Sequence, residues 1–291
     1  MTNSKAELRS HSKIAFTKMQ GLGNDFIIID ATQQPLYLTP PQIRHLADRH
    51  YGVGCDQLLI LLPATTPKVD FSYQIFNADG SSAEQCGNGA RCLGRYIYEK
   101  KHNHSSPLRL AAPTGEIELY LEANGMINVN MGLPIFSPES IPFQADKQAD
   151  VYSLSLHDGT FEIGVVGLGN PHAVFITPDL ASAPVSRWGA EIESHVRFPH
   201  HTNVGFMQII NRQHIHLRVY ERGVGETLAC GSGACAAMVI GRLWQQLDPQ
   251  VAVDLPGGRL HIRWEGIAAP VWMSGPAEIV FEGYIALQDR L

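Results

Sequence analysis

The chain has 291 residues, of which 44% are hydrophobic and 17% charged, and its formal net charge is −6. This length suffices for one large domain or two ordinary ones, with a sizeable core. The acidic balance, without any run of Lys and Arg, argues against nucleic-acid binding. No apolar stretch reaches the length of a membrane span, and residues 1–12 lack the apolar core of a signal peptide. We therefore expect a cytoplasmic protein with neither membrane nor nucleic-acid partners.

Short segments rich in β-branched and aromatic residues predict strands, with Gly, Pro and Asn between them. The first helix is predicted over residues 40–49, with Thr39 as its cap and Pro40 in its first turn. Two further helices are predicted over residues 89–100 and 233–246. In chain order, the predicted strands cover residues 14–18, 26–30, 57–62, 70–76, 116–121, 126–131, 204–210, 214–220 and 278–286.

The two later helices begin with similar motifs. The first reads Cys86-Gly87-Asn88-Gly89-Ala90, and the second reads Cys230-Gly231-Ser232-Gly233-Ala234. Other polar residues recur in the same order, at spacings of 146 and then 144 residues. The matched pairs are Asn24 with Asn170, Gln57 with Asn203, Asn77 with Glu221, and Cys86 with Cys230. This pattern indicates a duplicated domain in which one loop has changed length by two residues.

A cysteine flanked by glycines precedes each of these helices. Two residues further on, Asn88 and Ser232 are predicted to cap the helices. The backbone N–H groups at such an end attract anions, so they are suited to hold a carboxylate and to favour a thiolate over a thiol. A helix end lowers a thiol pKa from ~8.5 by at most ~1.5 units. We therefore predict two thiols with pKa values near neutral.

Inverting a carbon centre requires one proton to leave one face and another to arrive on the opposite face. Cys86 and Cys230, one from each similar domain, fit these two roles across a cleft between the domains. The alternative for this pair is a disulfide or inert burial, but neither explains the glycines or the repeat. Cys55, Cys92 and Cys235 are predicted to be buried small hydrophobes.

The spacing of the histidines and the number of cysteines do not indicate a metal site. His102 and His104, like His214 and His216, are one residue apart, and no partner cluster accompanies either pair. Five cysteines are an odd number and too sparse for a disulfide scaffold, so free thiols are expected. We predict no metal and no other cofactor.

Over residues 16–285 the chain resembles the diaminopimelate epimerase family. The resemblance rests on several motifs that are weak singly and specific together. They are Met19-Gln20-Gly21-Leu22-Gly23-Asn24-Asp25-Phe26, Phe76-Asn77-Ala78-Asp79-Gly80-Ser81, Gln85-Cys86-Gly87-Asn88-Gly89-Ala90-Arg91-Cys92, Gly169-Asn170-Pro171-His172, Tyr220-Glu221-Arg222-Gly223 through Thr227, and Ala229-Cys230-Gly231-Ser232-Gly233.

The resemblance implies pyridoxal-free interconversion of LL- and meso-diaminopimelate, a small-molecule step in lysine and cell-wall precursor synthesis. Cys86 and Cys230 would be the two acid/base thiols, and His172 and Glu221 would help to set their pKa values. The carboxylate at the reacting carbon would be held by the backbone amides of Gly87, Asn88, Gly231 and Ser232. The substrate would be gripped, chiefly at its distant end, by Asn24, Asn77, Asn170, Asn203, Glu221 and Arg222, and Gln57 also falls at a position that lines the family's site.

Two residues depart from the family pattern. Cys55 stands where the family often has Phe, which adds a thiol near Gln57 without changing its role. Phe281 stands where a tyrosine is associated with dimer contact, so we expect a homodimer that lacks that hydroxyl contact.

We predict an α+β fold of two pseudo-symmetric domains, each an antiparallel sheet or barrel wrapped around a central helix. The first domain would comprise residues 1–130, with residues 276–291 returning to it, and the second would comprise residues 131–275.

Two other functions fit parts of the pattern. A proline racemase or hydroxyproline epimerase also uses two cysteines across two domains, but needs only a compact pocket for a cyclic amino acid. The polar set Asn77, Asn203, Glu221 and Arg222 suits a second amino-acid group instead, since Arg binds a carboxylate through two parallel hydrogen bonds. A thiol-based redox or binding protein is the remaining alternative, although the Cys86 and Cys230 motifs lack the spacing Cys-x-x-Cys.

Overall fold

The computed structural model describes residues 13–33, 35–83, 86–101 and 105–287. Residues 1–12, Gln85, the His102/His104 pair and residues 288–291, all of which entered the sequence analysis, lie outside these ranges. Within the described ranges, no helix is both long enough and apolar enough to cross a bilayer.

The first half of the described chain consists of short strands and two helices. Its strands are β1 (Lys13–Gly21), β2 (Asn24–Asp30), β3 (Gln57–Pro63), β4 (Phe71–Asn77), β5 (Leu108–Ala112), β6 (Gly115–Leu121) and β7 (Ile127–Asn130). Its helices are α1 (Pro40–Ala47) and α2 (Gly87–Lys100). The cap of α1 is as predicted, because the Thr39 side chain accepts a hydrogen bond from the backbone N–H of Gln42.

The second half of the described chain repeats this order but contains ten strands against the seven of the first half. Its strands are β8 (Tyr152–Leu156), β9 (Gly159–Gly167), β10 (Pro171–Ile176), β11 (Asn203–Asn211), β12 (His214–Glu221), β13 (Gly225–Thr227), β14 (Gln250–Leu255), β15 (Gly258–Arg263), β16 (Trp272–Gly275) and β17 (Glu278–Ala286). Its helices are α3 (Val185–Glu193) and α4 (Gly231–Leu243).

Each strand pairing within the first half has a counterpart in the second, and the pair of β12 with β13 is additional. β2 runs parallel to β3 as β10 runs parallel to β11, and β4 runs parallel to β5 as β12 runs parallel to β14. The register repeats as well: Phe26 lies opposite Gln57, and His172 lies opposite Asn203. Both members of the second pair follow their counterparts by the same 146 residues. The α+β class and the pseudo-symmetry of the two units are as the sequence predicts.

The sheets are mixed, although the sequence led us to expect antiparallel pairing throughout. In each parallel pair, a helix lies between the two strands in the chain order. Such a crossover connection allows the second strand to run in the same direction as the first. The sequence analysis missed α3 and several strands of the second half, including β9, β10, β14 and β15. Pro171 at the start of β10 and the glycines of β9 weakened the local strand pattern.

The two halves are joined by two antiparallel strand pairs, β7 with β16 and β1 with β17. In the first of these pairs Val129 lies opposite Met273. β17 pairs antiparallel with β1, so the end of the described chain lies against its first strand. The domain boundaries near residues 130 and 275 remain a prediction.

The largest apolar cluster contains both α2 and α4 and strands from both halves. Residues 234–240 of α4 are at most 1% exposed, which is the pattern of a helix enclosed on every side. Two smaller clusters lie with α1 in the first half and with α3 in the second. The two central helices are therefore held rigidly, and their first residues have fixed positions.

Candidate active site

A cavity of about 990 Å³ is lined by the first residues of both central helices. The walls include most of the residues predicted from the sequence to form a site. These are Asn24, Gln57, Asn77, Cys86, Gly87, Asn88, Asn170, Glu221, Arg222, Cys230, Gly231 and Ser232.

The cysteines themselves are the residues that precede the first turn of each helix. Cys86 and Cys230 have extended backbones, and the helices begin at Gly87 and Gly231. The backbone N–H of Gly89 donates to Cys86 Sγ over 3.4 Å. The prediction that Asn88 and Ser232 cap the helices is therefore wrong: the helices start earlier, and at α2 the thiol sulfur accepts the bond that a capping side chain normally accepts.

Asn88 connects the two halves of the molecule. Its side chain is 2% exposed, and its Nδ2 donates to Ala229 O over 3.1 Å and to Asn24 Oδ1 over 3.3 Å. Ala229 immediately precedes Cys230, so Asn88 ties the start of one helix to the start of the other. Its Oδ1 has no partner in the part of the chain that is described.

Cys86 lies among neutral amide groups. Its Sγ is 3.7 Å from Asn24 Oδ1, which is placed to accept from the thiol S–H. The Asn24 amide is oriented by Asp56, whose Oδ2 accepts from Asn24 Nδ2 over 2.8 Å. Because the carboxylate takes the amide N–H, the amide oxygen faces Cys86 and Asn88.

Cys230 lies beside a carboxylate. The negative charge of Glu221 raises the pKa of Cys230, and Thr227 Oγ1 donates to Glu221 Oε1 over 2.5 Å. Ser232 Oγ lies 3.7 Å from Cys230 Sγ. The two cysteines thus occupy equivalent positions in the fold with different electrostatic surroundings.

Burial raises the pKa of both thiols. The pKa of Cys86 rises to about 11, although the N–H of Gly89 opposes the rise. The pKa of Cys230, which is only 4% exposed, rises well above its ordinary value through burial and then through the charge of Glu221. The prediction of near-neutral thiols is therefore wrong, because the loss of water around the sulfurs outweighs the attraction of the helix end. Burial likewise raises the pKa of Glu221.

Two predicted residues, His172 and Asn203, lie behind the cavity wall. His172 is 1% exposed, its Nε2 lies 2.7 Å from Asn170 Oδ1, and burial lowers its pKa to about 3. Asn203 donates through Nδ2 to Pro171 O over 3.0 Å and accepts from the backbone N–H of Arg222 over 3.0 Å. Asn203 and His172 therefore position Arg222 and Asn170, which do line the cavity.

Gln57 and Asn77 form a pair on the first-half wall. Gln57 Nε2 donates to Asn77 Oδ1 over 3.0 Å, and Asn77 Nδ2 donates to Ser81 Oγ over 3.1 Å. Gln57 Oε1 is buried and has no partner among the described residues.

The sequence analysis missed a charged network at the cavity wall. Arg49 binds Asp25 through two bonds of 2.8 Å and Asp56 through one of 2.9 Å. Lys18 also pairs with Asp25, at 2.6 Å. Arg49 and Asp56 line the cavity. Asp56 directly precedes Gln57, a predicted site residue, so its position in the sequence could have indicated that it lines the cavity. No feature of the sequence indicates the same for Arg49.

Cys55, Cys92 and Cys235 are free thiols and at most 2% exposed, as predicted for buried small hydrophobes. Cys86 and Cys230 are also free in this structure. Phe281 is 47% exposed on β17, and its ring packs edge-on against Phe16.

The sequence analysis predicted no metal-binding residue near His214 and His216. This prediction is wrong, because Asp254 lies opposite His216 on the neighbouring strand. His214 Nε2 is 2.7 Å from Asp254 Oδ2, so three groups able to bind a metal lie together. The same carboxylate already receives Arg259 Nε at 2.5 Å and Arg259 Nη2 at 2.8 Å. The cluster is therefore an ion-pair network in which a guanidinium supplies the positive charge.

The fold is that of a class of two-domain proteins that contains epimerases and racemases. A hydroxyproline epimerase from Agrobacterium vitis superposes with a TM-score of 0.70 at 12% identity, covering 97% of this chain and 95% of that one. A probable proline racemase from Agrobacterium radiobacter K84 also gives 0.70, at 14% identity, covering 95% and 94%. A PhzF-family phenazine biosynthesis protein from Bacillus anthracis gives 0.66 at 15% identity, covering 95% and 100%.

Sequence comparison is more specific than the fold. The model of the diaminopimelate epimerase family matches residues 16–137 and 164–280. A diaminopimelate epimerase from Alkalilimnicola ehrlichii is 53% identical over 286 residues, which cover 94% of this chain and 99% of that protein. The chain belongs to the diaminopimelate epimerase family, as its motifs predict.

Proposed function

We propose that this protein interconverts LL- and meso-diaminopimelate by removing a proton from one face of the α-carbon and delivering another to the opposite face. The observation that carries the proposal is the pair of cysteines at two equivalent helix starts on one cavity, in a chain of the diaminopimelate epimerase family. One thiolate takes the α-hydrogen as a proton, and the other thiol donates its own proton to the carbanion. After each turnover the two sulfurs have exchanged roles, and solvent exchange restores the starting state.

The carboxylate at the reacting carbon is held at the N-terminal ends of α2 and α4. The first N–H groups of a helix have no partner within the helix, and the helix dipole places partial positive charge there. The amides concerned belong to Gly87, Asn88, Gly231 and Ser232. The charge that develops on this carboxylate as the proton leaves is stabilised by the same amides.

The far amino-acid group of the substrate is bound by the side walls. Arg222 supplies a cation for the distal carboxylate, and the free oxygen of Gln57 is an acceptor suited to an ammonium group. The wall residues in these roles are Asn24, Gln57, Asn77, Asn170, Glu221 and Arg222, with Asn203 and His172 acting from behind them. Binding this far group provides the free energy that closes the cavity and excludes water.

The closest competing function is racemisation of proline or hydroxyproline, whose enzymes share this fold at 12–14% identity. A cyclic amino acid offers no second charged end. The charged and amide side chains of Glu221, Arg222 and Asn77 would then be left without partners in the complex, which costs free energy. This argument favours diaminopimelate.

Incubation of the reduced protein with LL-diaminopimelate in D₂O tests the proposal. We expect meso product with deuterium at the inverted carbon from the first turnovers, whereas recovered substrate stays largely unlabelled at early times. Chiral chromatography with mass spectrometry measures both. Substantial protium at that carbon in early product would count against opposed thiols, and efficient racemisation of proline or alanine would favour the competing function.

We further propose a cytoplasmic homodimer in which β17 contributes to the contact. Val280, Phe281 and Tyr284 on this strand are 55%, 47% and 76% exposed. Clustered exposed apolar side chains are typical of protein–protein contacts. Analytical ultracentrifugation of wild type and Phe281→Asp should give a dimer and a weakened dimer respectively; a monomeric wild type would exclude this part of the proposal.

A further inference from the structure

Asp56 lies on the cavity wall, and both of its carboxylate oxygens accept hydrogen bonds. Its Oδ1 accepts from Arg49 Nη2 over 2.9 Å, and its Oδ2 accepts from Asn24 Nδ2 over 2.8 Å and from the backbone N–H of Asp25 over 3.1 Å. Arg49 is itself held by Asp25 through two bonds of 2.8 Å. The carboxylate therefore has a fixed position beside the amide of Asn24.

The Asn24 amide has one orientation, because groups that only accept hydrogen bonds stand at both ends of its network. An ionised carboxylate and a backbone carbonyl cannot donate. The Asp56 carboxylate therefore requires the N–H₂ group of Asn24. At the other end, Asn88 Nδ2 donates to the carbonyl of Ala229 over 3.1 Å and to Asn24 Oδ1 over 3.3 Å. The amide oxygen of Asn24 is thus the end that faces Cys86.

The sulfur of Cys86 consequently lies between a donor and an acceptor. The backbone N–H of Gly89 donates to Cys86 Sγ over 3.4 Å, and Asn24 Oδ1 lies 3.7 Å from the same sulfur. The N–H group satisfies a thiolate, whereas the amide oxygen accepts the S–H of a thiol. A group that must both take and give a proton has a suitable partner in each state.

The second half fixes its equivalent asparagine in the opposite sense. Asn170 follows Asn24 by 146 residues, and its Oδ1 lies 2.7 Å from Nε2 of the buried His172. The oxygen is the anchored end of the Asn170 amide, whereas the N–H₂ group is the anchored end of the Asn24 amide. The residue that follows Asp56 by 146 is Thr202, which carries no charge. The carboxylate that orients Asn24 is therefore specific to the first half.

The other ionisable groups that act on Cys86 come from three elements. They are Arg91 and Cys92 on α2, Tyr73 on β4, and Glu221 on β12. Within the described ranges, none of them is hydrogen-bonded to the Asn24 amide. Replacing Asp56 therefore changes the amide and leaves these groups in place.

We propose that Asp56 is a positioning residue that acts through Asn24 to keep a hydrogen-bond acceptor against the Cys86 thiol. Without Asp56 the amide is free to turn and to bring its N–H₂ group to the sulfur. A contact that supports the thiol is then exchanged for one that supports the thiolate. The importance of this contact for turnover rests on the proposed two-thiol function, but the contact itself is a property of the free protein and is measured without substrate.

The test is the pH dependence of alkylation of Cys86 by iodoacetamide in the full-length protein, read by mass spectrometry of its peptide. The pH range should extend from neutral to the raised pKa of Cys86, about 11. In Asp56→Ala we expect the Cys86 midpoint to fall by about 0.5–1 pH unit, which makes its alkylation about three- to tenfold faster below the midpoint. Cys230 is the internal reference, because its sulfur contacts the hydroxyl of Ser232 at 3.7 Å, and its midpoint should stay unchanged.

A second background separates an effect through Asn24 from a direct effect of the lost charge. In Asn24→Ala the amide is absent, so adding Asp56→Ala should change the alkylation rate of Cys86 by less than about twofold. A charge that acted directly on the thiol would give the same change in both backgrounds. That result would overturn the proposal.

Glu226→Ala is the matched control, because Glu226 also lines the cavity and also pairs with an arginine, Arg218, at 2.6 Å. It removes the same type of charge without affecting the Asn24 amide, and the alkylation rate of Cys86 should stay that of wild type. An equal rise in both variants would show that the general charge of the cavity controls the reactivity of Cys86, which would also overturn the proposal.

Circular dichroism and thermal melting establish whether each variant folds, and Asp56→Ser takes the place of Asp56→Ala if the latter does not. A folded variant whose Cys86 midpoint is unchanged or raised would overturn the proposal. If neither variant folds, Asp56 serves folding and the proposal also fails. A lowered midpoint in a protein without activity on diaminopimelate would leave the positioning role intact and remove the proposed function.

Discussion

The two halves of this molecule share a backbone and differ in charge. Gly23 and Gly169 occupy equivalent turns with φ of +82° and +79°, a conformation that favours glycine. Both cysteines precede a central helix, and both cavity walls start from the same strand pairings. Yet the position taken by neutral Asn77 in the first half is taken by the carboxylate of Glu221 in the second.

This difference bears on the proposed two-thiol mechanism. In that mechanism two bases must reach opposite faces of one carbon, which a duplicated backbone would provide. The two thiols would also hold one proton between them, and two interacting groups lose their protons in two separate steps even where their sites are alike. The different side chains around Cys86 and Cys230 would widen that separation. Exchanging residues between the halves therefore tests how much of the chemistry depends on the backbone and how much on the charges.

The largest effect should come from removing either sulfur. Cys86→Ala and Cys230→Ala should each lower epimerisation at least ~10³-fold, because each loses a proton donor or acceptor on one face. Incorporation of deuterium from D₂O into each isomer then shows which face of the carbon still exchanges its proton. Cys92→Ala and Cys235→Ala are matched controls from the same helices, and should alter stability by about 1 kcal/mol while retaining turnover. Near-normal turnover by Cys86→Ala would rule out the two-thiol mechanism.

A smaller effect should follow from neutralising the second-half carboxylate. A negative charge beside a thiol raises its pKa, so Glu221→Gln should lower the pKa of Cys230 and bring the two thiols closer in acidity. Turnover should fall about 10- to 100-fold. Alkylation of Cys230 as a function of pH measures the shift directly.

Glu226→Gln is the control for Glu221→Gln, because Glu226 also lines the cavity but pairs with Arg218 at 2.6 Å. The Cys230 midpoint should be unchanged in this variant. An equal shift in both variants would show that the general charge of the cavity, rather than Glu221, separates the two thiols.

The third prediction concerns replacement of His172 by the residue type at the equivalent position of the first half, which is Phe26. The pKa of His172 is about 3 in the folded protein and about 6.5 when unfolded, so between these values the unfolded state binds a proton that the folded state does not. Stability from this group is therefore lost as pH falls below about 6.5. At pH 4.5 the loss should be about 2 kcal/mol relative to neutral pH.

Urea unfolding of wild type and His172→Phe at both pH values measures that loss. The variant should lose less stability than wild type on acidification, whatever its stability at neutral pH. His157→Phe, at a histidine whose side chain is 83% exposed, is the control and should behave as wild type. A wild-type slope in His172→Phe would contradict the neutral, buried state of this histidine.

The smallest effect distinguishes Asn88 from its counterpart Ser232. Asn88→Ser should lower the free energy of unfolding by about 1–2 kcal/mol, because it removes the hydrogen bonds to Ala229 and Asn24 between the halves. Ser232→Ala should change it by less than about 0.5 kcal/mol, since the one hydrogen-bond partner of its hydroxyl among the described residues is the sulfur of Cys230, at 3.7 Å. Equal effects in urea titrations would show that Asn88 does not tie the halves together.

The repeat made much of this architecture predictable from the sequence. Spacings of 146 and 144 residues placed the cysteines and their amide neighbours on two equivalent frames, and turn residues marked most first-half strands. The sequence did not reveal that Asn203 and His172 lie behind the wall, because strand alternation alone does not say which face meets the cavity. The thiol pKa values were mistaken for a related reason. Local helix geometry is visible in the sequence, whereas the amount of water removed by distant segments is not.

The pairing of β17 with β1 also bears on how the chain is made. Gln20 and Glu278 are hydrogen-bonded across these strands although 258 residues separate them. Contacts of such separation form late, because a long loop must close first. During synthesis the second half has all its strands before the first half receives its last one. Until then β1 has an open edge, and the half made first is the half completed last.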